Sequence, residues 1–225
     1  MAATRFTDLF NIDLPLQLAP MGGMTPPKLV AAVSNAGGLG MFAGPMVPPE
    51  ALRSILGQIR ELTPGKKFGV GFLMPFLDAE CVEIAAELSD TVELFYDAPR
   101  AVLIETVHAR KAFAGWQVGS LDEARAAVDA GCDYVTAQGV EAGGHVRGTI
   151  PLFDLLPQIA NAVNVPIIAS GGLGDAQTVA RAFDAGAHAV RIGTRFLAAA
   201  ESVAHPEYIQ ALIEANADDT VLTTA

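Results

Sequence analysis

The sequence Asp133-Tyr-Val-Thr-Ala-Gln-Gly-Val-Glu-Ala-Gly-Gly-His-Val-Arg-Gly148 joins an apolar run directly to a glycine-rich loop. The run over 133–137 predicts a short buried strand, and the eleven residues that follow it hold four glycines and one histidine, His145. Glycine lets a backbone approach a ligand closely because no Cβ stands in the way. The imidazole titrates near neutral pH and can exchange a proton with that ligand. This stretch therefore predicts a strand whose C-terminal end contacts a flat or anionic ligand.

The same order, a strand followed by a helix, recurs along the whole chain. The predicted strands cover residues 15–20, 39–43, 68–74, 92–96, 112–118, 134–137, 165–170 and 189–192. The predicted helices cover residues 26–35, 49–62, 79–89, 99–110, 121–130, 152–162 and 175–185, with a last helix that starts over 198–201 and continues onward.

Strict alternation of strands and helices indicates a parallel sheet with right-handed crossovers. Eight such units favour a compact (β/α)8 barrel that occupies residues 1–225 as a single domain. A doubly wound open sheet is the main alternative. A dinucleotide-binding sheet would place G-x-G-x-x-G after its first strand, whereas this strand ends Ala19-Pro-Met-Gly-Gly-Met24. In a barrel the active site lies at the C-terminal strand ends, where the glycine-rich loops fall.

Composition excludes several classes of function. Hydrophobic residues make up 51% of the 225 residues and charged residues 17%, which suits a sizeable core. A net charge of −11 argues against a nucleic-acid partner. Neither a signal peptide nor an apolar run of membrane-spanning length is expected. Cys81 and Cys132 belong to no C-x-x-C pair, so we expect reduced, buried thiols in a cytoplasmic protein.

Two further loops predict a phosphate site. They follow the seventh and eighth predicted strands, where barrels often bind phosphate through backbone amides at a helix N-terminus. Gly171 and Gly172 allow close approach, Thr194 adds a hydroxyl, and a helix dipole supplies attraction without a lysine. The alternative is that these glycines only turn the chain. Asp175 is expected to be the N-cap of its helix.

His145 has a structural alternative as well, as a hydrogen-bonded loop residue. Its place at a strand end opposite the phosphate loops favours a catalytic role. Glu141 and Arg147 are expected to pair with each other or with neighbouring loops. No metal site is expected, because the remaining histidines show no metal-ligand spacing: His108, His188 and His205.

At these residues the chain resembles the nitronate monooxygenases, also called 2-nitropropane dioxygenases, which are FMN-dependent barrels. The resemblance covers essentially the whole chain. The matching motifs are Ala19-Pro-Met-Gly-Gly-Met24, Asn35-Ala-Gly-Gly-Leu-Gly40, Gly69-Val-Gly-Phe72, Ala137-Gln-Gly-Val-Glu-Ala-Gly-Gly-His145, Ala169-Ser-Gly-Gly-Leu-Gly-Asp175 and Ile192-Gly-Thr-Arg-Phe196. The histidine motif is the most specific of them.

The resemblance implies that FMN lies across the barrel mouth. The implied contacts are Met21 and Gly22 with the isoalloxazine, Gln138 and Gly143 with the flavin and its ribityl chain, and Gly172, Gly193 and Thr194 with the phosphate. His145 would lie near the substrate and flavin N5, where a buried imidazole would move a proton or stabilise the anionic nitronate. In the family the nitronate gives an electron to FMN, and oxygen completes the oxidation to a carbonyl compound with release of nitrite.

The chain departs from the family pattern in two ways. Many members carry an asparagine on the third strand as a flavin contact, and Gly71 stands at that place. Members are also usually longer, with a C-terminal extension and helical insertions over the substrate side, and we expect this chain to be without that cover. The pocket is then open, completed by another subunit in a homo-oligomer, or built for a different substrate.

Several functions fit these residues. The leading one is oxidation of a nitronate or nitroalkane by molecular oxygen. An FMN-dependent enoyl-thioester reductase shares the fold and flavin loops, and a non-catalytic flavin- or phosphate-binding barrel is a third reading. A flavin-free phosphosugar isomerase or aldolase is disfavoured, because no lysine falls at a strand end among Lys28, Lys66, Lys67 and Lys111.

Overall fold

The computed structural model describes residues 3–216, 219–221 and 223. Its strands are β1 (Leu16–Leu18), β2 (Gly40–Ala43), β3 (Phe68–Leu73), β4 (Thr91–Phe95), β5 (Phe113–Val118), β6 (Tyr134–Gln138), β7 (Ile167–Ser170) and β8 (Ala189–Ile192). Its α-helices are α1 (Arg5–Phe10), α2 (Pro27–Asn35), α3 (Pro49–Leu62), α4 (Ala79–Leu88), α5 (Ala101–Ala109), α6 (Leu121–Asp129), α7 (Leu152–Ala160), α8 (Ala176–Asp184) and α9 (Pro206–Glu214).

The eight strands form one parallel sheet that closes on itself. Their order is β1-β8-β7-β6-β5-β4-β3-β2, and the first and last strands of that order meet at a bridge between Gln17 and Leu39. The amide of Leu18 donates to the carbonyl of Leu39 at 2.9 Å, and the amide of Leu39 donates to Leu16 at 2.9 Å. The predicted (β/α)8 barrel is therefore confirmed, and the doubly wound alternative is wrong.

Alternate residues of each strand face opposite sides of the barrel wall. The outward side chains, such as Leu18, Val70 and Leu94, pack with the helices in the main apolar core. Burying this layer supplies the main driving force for folding, at about 25 cal/mol per Å² of apolar surface.

The lower interior of the barrel is apolar, and helix α1 covers it. Phe6 and Phe10 of this helix are fully buried and pack with Tyr134 and Ile168. The rings of Phe10 and Tyr134 lie 5.6 Å apart in an edge-on arrangement. Thr4 caps the helix through a reciprocal pair of hydrogen bonds with Thr7. This helix was not predicted from the sequence.

Above this apolar layer the barrel interior is polar. Arg191 of β8 crosses the barrel to Glu93 of β4, with 2.5 Å between its Nη2 atom and the carboxylate oxygens. The same guanidinium donates to Gln17 at 2.7 Å and to Gln117 at 2.5 Å, and Thr136 donates to Glu93 at 2.7 Å. Both charged side chains are at most 3% exposed. This hydrogen-bonded layer forms the floor beneath the barrel mouth.

The last predicted helix is wrong. Residues Thr194–Ala198 form a 3₁₀ helix instead, in which the Phe196 amide donates a hydrogen bond to the Gly193 carbonyl. The backbone is already in an extended conformation at Ala199. The alanines that follow favour an α-helix intrinsically, but Leu197 of this turn is buried and the neighbouring Phe196 packs against the main apolar core. Helix α9 starts only at Pro206, which suits the first helical position because proline has no N–H to satisfy.

The two cysteines are free and buried, as expected. Burial, followed by the nearby Asp133 and Glu93 carboxylates, raises the pKa of Cys132 to about 12. Burial is also the main cause that raises the pKa of Cys81. Of the helices in the described part of the chain, none has the length and apolar run needed to cross a bilayer.

Candidate functional site

The histidine-bearing loop leaves β6 at the C-terminal rim of the barrel and is fixed at both ends. The amide of Val140 donates to Ile150 at 3.0 Å. The carboxylate of Glu141 accepts from the Leu152 amide at 3.0 Å, at the start of α7. Arg147 pairs with Glu123 of α6 at 2.5 Å. Glu141 and Arg147 thus bind neighbouring elements rather than each other, which was one of the two expectations for them.

His145 lies exposed on this loop, so the expectation of a buried imidazole is wrong. Its neighbours Gly143 and Gly144 carry no side chains that could cover it. Two contacts hold the residue: the Gln138 side chain donates to the His145 carbonyl at 2.9 Å, and the Tyr96 ring lies 5.6 Å away, edge-on to the imidazole.

Gln138 is only 3% exposed, and its Oε1 atom has no hydrogen-bond partner among the described residues. A buried acceptor without a donor costs free energy, on the order of 1–3 kcal/mol. Such an atom at the barrel mouth marks a place where a bound molecule would supply the donor. This observation fits the flavin contact that the resemblance implies for Gln138.

The loops after β7 and β8 lie against the loop after β6. Gly171 and Gly172 have φ values of 114° and 64°, which L side chains rarely adopt. A Cβ on Gly143 would lie 3.7 Å from the Thr194 hydroxyl oxygen, so these two predicted contacts are neighbours. The amides of Gly172, Leu173 and Thr194 form no hydrogen bond within the described part of the chain. They are therefore available to an anion.

The backbone amides at the start of helix α8 are less available to a phosphate than the sequence suggested. Asp175 is its N-cap, as predicted, and accepts from the Thr178 amide at 2.7 Å. The Thr178 hydroxyl accepts from the amides of Gly174 and Asp175, both at 3.3 Å. This capping box satisfies N–H groups that would otherwise face a phosphate. The amides before the helix, rather than its first turn, remain as donors.

Arg195 is a charged residue of this site whose role was not predicted from the sequence. Its guanidinium lies 3.6 Å from the position that a Cβ on Gly174 would occupy. Its charge also contributes to the lowered pKa of Asp175, after the hydrogen bonds from Thr178 and Gln177. The signal was present in the sequence, because Arg195 directly follows the predicted phosphate ligand Thr194.

The loop after β1 completes the rim. A Cβ on Gly193 would lie 3.1 Å from the Ala19 Cβ and 3.4 Å from the Met21 sulfur, so Met21 and Gly193 adjoin. Open space surrounds Gly22. A Cβ on Gly71 would lie 2.6 Å from the Pro20 ring, so the present backbone leaves no room there for the asparagine that the resemblance implies.

The other histidines have structural partners. His108 contacts Asp133 at 2.8 Å, and the His205 ring caps α9. Nδ1 of His188 accepts from the Ile167 amide at 3.1 Å, while burial, and secondarily the charge of Arg5, lowers the pKa of His188. In residues 3–216, 219–221 and 223, no three histidine, cysteine or carboxylate side chains are grouped as a metal would require.

Comparison with known proteins agrees with this arrangement. The family model described as nitronate monooxygenase matches residues 3–87 and 79–225, which together span nearly the whole chain. The chain belongs to the nitronate monooxygenase family. Membership makes it an oxidoreductase of a flavoprotein family.

Two curated relatives show how this family member compares in length. A probable nitronate monooxygenase of Bacillus subtilis (strain 168) is 32% identical over 262 residues, which cover 97% of this chain and 76% of the relative. The corresponding protein of Staphylococcus saprophyticus is 31% identical over 268 residues, covering 98% and 75%. Both alignments exceed 225 residues, so the relatives carry additional residues within the aligned region.

Solved structures confirm the barrel. FabK from Thermotoga maritima superimposes with a TM-score of 0.94 at 36% identity, covering 99% of this chain and 71% of FabK. A nitroalkane oxidase from Streptomyces ansochromogenes superimposes with a TM-score of 0.84 at 31% identity, covering 92% and 72%. The enoyl reductase domain of MlnA from Bacillus amyloliquefaciens, at 15% identity and a TM-score of 0.79, shares the fold.

Proposed function

We propose that this family member uses FMN and molecular oxygen to oxidise alkyl nitronates to a carbonyl compound and nitrite. The observation that carries the proposal is the barrel rim itself, where an exposed imidazole shares one loop system with amides free to bind an anion. Family membership and the nitroalkane oxidase neighbour support the same chemistry.

The residues at the rim fit FMN. The amides of Gly172, Leu173 and Thr194, together with the Thr194 hydroxyl, would hold its phosphate, and Gly171 and Gly193 would allow the backbone to approach. Arg195 would offset the phosphate charge. Its contribution matters because the amides at the start of α8 already donate to the Thr178 hydroxyl and are not free to bind the phosphate.

The rest of the flavin would meet four predicted contacts. Met21 and Gly22 would face the ring, and Gly143 would line the path from the ring to the phosphate. The Oε1 atom of Gln138, which has no partner among the described residues, would accept a hydrogen bond from the flavin ring. When bound, the flavin supplies the redox chemistry; the side chains described below supply binding and charge.

His145 would hold the substrate. In its protonated form, the imidazole would donate from a ring nitrogen to a nitronate oxygen and offset the negative charge. Charge-assisted hydrogen bonds of this kind are about twice as strong as neutral ones. The Gln138 bond to the His145 carbonyl fixes the backbone that carries this group.

Oxygen uptake and nitrite formation from a primary alkyl nitronate test this function on the FMN-loaded protein. We expect His145→Ala to lower kcat/KM by about 10- to 100-fold while FMN stays bound, because a hydrogen bond to a charged group contributes about 1.5–3 kcal/mol. His108→Ala is the matched control, because that histidine pairs with Asp133 away from the mouth. Wild-type protein that binds FMN yet neither consumes oxygen nor forms nitrite would contradict the proposal.

An enoyl-thioester reductase is the second candidate, and the FabK superposition favours it, at higher identity than the nitroalkane oxidase. The two functions separate in one assay. Oxidation of NAD(P)H that depends on an enoyl thioester supports the reductase, and nitronate-dependent oxygen uptake supports the oxygenase. Binding of FMN with neither activity supports a non-catalytic barrel.

Two further features are part of the proposal. A cytoplasmic location rests on the two free thiols. A homo-oligomer would let a second subunit cover the mouth, and the oligomeric state of the active protein tests it.

A further inference from the structure

Tyr96, directly after β4, has a backbone conformation that is rare for its residue type. Its φ is 80°, in the left-handed region, although it is not glycine. Glu93 faces the barrel interior and Leu94 the helices, so a regular continuation of β4 would turn Tyr96 toward the helices as well. The left-handed turn instead brings its ring over the mouth, where it meets His145.

Rigid neighbours maintain this conformation. The buried Trp116 donates from its indole nitrogen to the carbonyl of Asp97 at 3.1 Å. The Asp97 carboxylate accepts from the Ala98 amide at 2.8 Å and pairs with Arg100. The Phe95 ring lies 5.2 Å from the Tyr96 ring at 89°. Unfavourable backbone conformations that the surroundings enforce cluster at functional sites.

The contact that this conformation secures is with the candidate catalytic residue. The centroids of the Tyr96 and His145 rings are 5.6 Å apart, with the ring planes at 85°. This is the edge-on geometry that aromatic pairs prefer. The imidazole is otherwise exposed, and Gln138 bonds only to the His145 backbone. Within the described residues, Tyr96 is the aromatic side chain that packs against this ring.

We propose that Tyr96 is a positioning residue, whose ring holds the His145 imidazole in the orientation that the reaction requires. This inference rests on the proposed function of His145. It assigns the effect to the ring of Tyr96 and not to its hydroxyl. Misplacing a catalytic group by about 1 Å can cost about 100-fold in rate, so loss of this contact has a measurable consequence.

Two substitutions separate the ring from the backbone. Tyr96→Phe keeps the ring, whereas Tyr96→Asn removes it and places a residue type that tolerates positive φ. Lys111→Asn, at another non-glycine residue of positive φ (64°), controls for asparagine in this conformation. Each FMN-loaded variant is assayed with whichever substrate the wild type turns over. The histidine side-chain NMR signals are also recorded, with the His145 signal assigned from His145→Ala.

Tyr96→Asn is expected to move the His145 ring signal and to lower kcat by about 10- to 100-fold, with KM changed much less. Tyr96→Phe and Lys111→Asn are expected to retain both the rate and the signal. If the His145 signal does not move in Tyr96→Asn, the contact between the two rings is disproved. If the signal moves but kcat is unchanged, the positioning role of Tyr96 is disproved. Equal losses in Tyr96→Phe and Tyr96→Asn overturn the assignment to the ring. Because the NMR signal is independent of turnover, failure of the proposed function is distinguishable from failure of this inference.

Discussion

Glu93→Gln tests the charged floor of the barrel mouth. The substitution keeps the shape of the side chain but leaves the Arg191 guanidinium, at 3% exposure, without its counter-charge. Loss of one partner of a buried ion pair costs about 3–5 kcal/mol, and we expect about 3 because glutamine still accepts one hydrogen bond. In a domain of this size, about 3 kcal/mol lowers Tm by roughly 6–12 °C.

Urea denaturation followed by circular dichroism measures the effect. Glu87→Gln is the matched control, because Glu87 pairs with Arg53 at the surface, where the two side chains are 45% and 53% exposed. Exposed pairs contribute about 0–1 kcal/mol. The double variant Glu93→Gln/Arg191→Met should recover part of the loss, since it buries no charge. The reasoning is refuted if Glu93→Gln lowers the free energy of unfolding no more than Glu87→Gln does. It is also refuted if the loss in the double variant equals the sum of the losses in Glu93→Gln and Arg191→Met alone.

Three other predictions concern the site and the titratable groups. Arg195→Gln should weaken FMN binding about 10-fold, because a hydrogen bond to a charged group is lost; an FMN fluorescence titration with unchanged affinity would exclude a phosphate contact. The folded-state pKa of His188 lies below that of the unfolded chain, so below about pH 6.5 the unfolded chain binds more protons. Stability should therefore fall as pH drops through this range, and less so in His188→Gln, as thermal unfolding at several pH values would show. The raised pKa values of Cys81 and Cys132 predict that neither thiol reacts with a disulfide reagent at pH 8 until urea unfolds the chain; rapid reaction of the folded protein would contradict this.

The barrel was predictable from sequence because most of its strands are short apolar runs between amphipathic helices. The polar layer was not, because Arg191 and Glu93 are 98 residues apart and only closure of the sheet brings them together. Helix α1 was missed for a related reason. Its six residues are too few to be stable alone, and Phe6 and Phe10 stabilise it only by packing under the barrel.

The candidate site shows the same division. Loops after β6, β7 and β8 could be assigned to one rim because parallel strands share their C-terminal edge. The exposure of His145 depends on which loops cover it, and no residue type encodes that. The left-handed φ of Tyr96 could not be predicted either, because this conformation is usually adopted by glycine and asparagine and a tyrosine does not indicate it.

A comparison of FMN with riboflavin tests the central claim most directly, because the two differ only in the phosphate. Flavin fluorescence is titrated with the wild-type protein under identical conditions. If the loops after β7 and β8 hold the phosphate, FMN should bind at least about 10-fold more tightly than riboflavin, because charge-assisted hydrogen bonds contribute about 1.5–3 kcal/mol each. Equal affinity for the two, or no binding of either, would contradict the account.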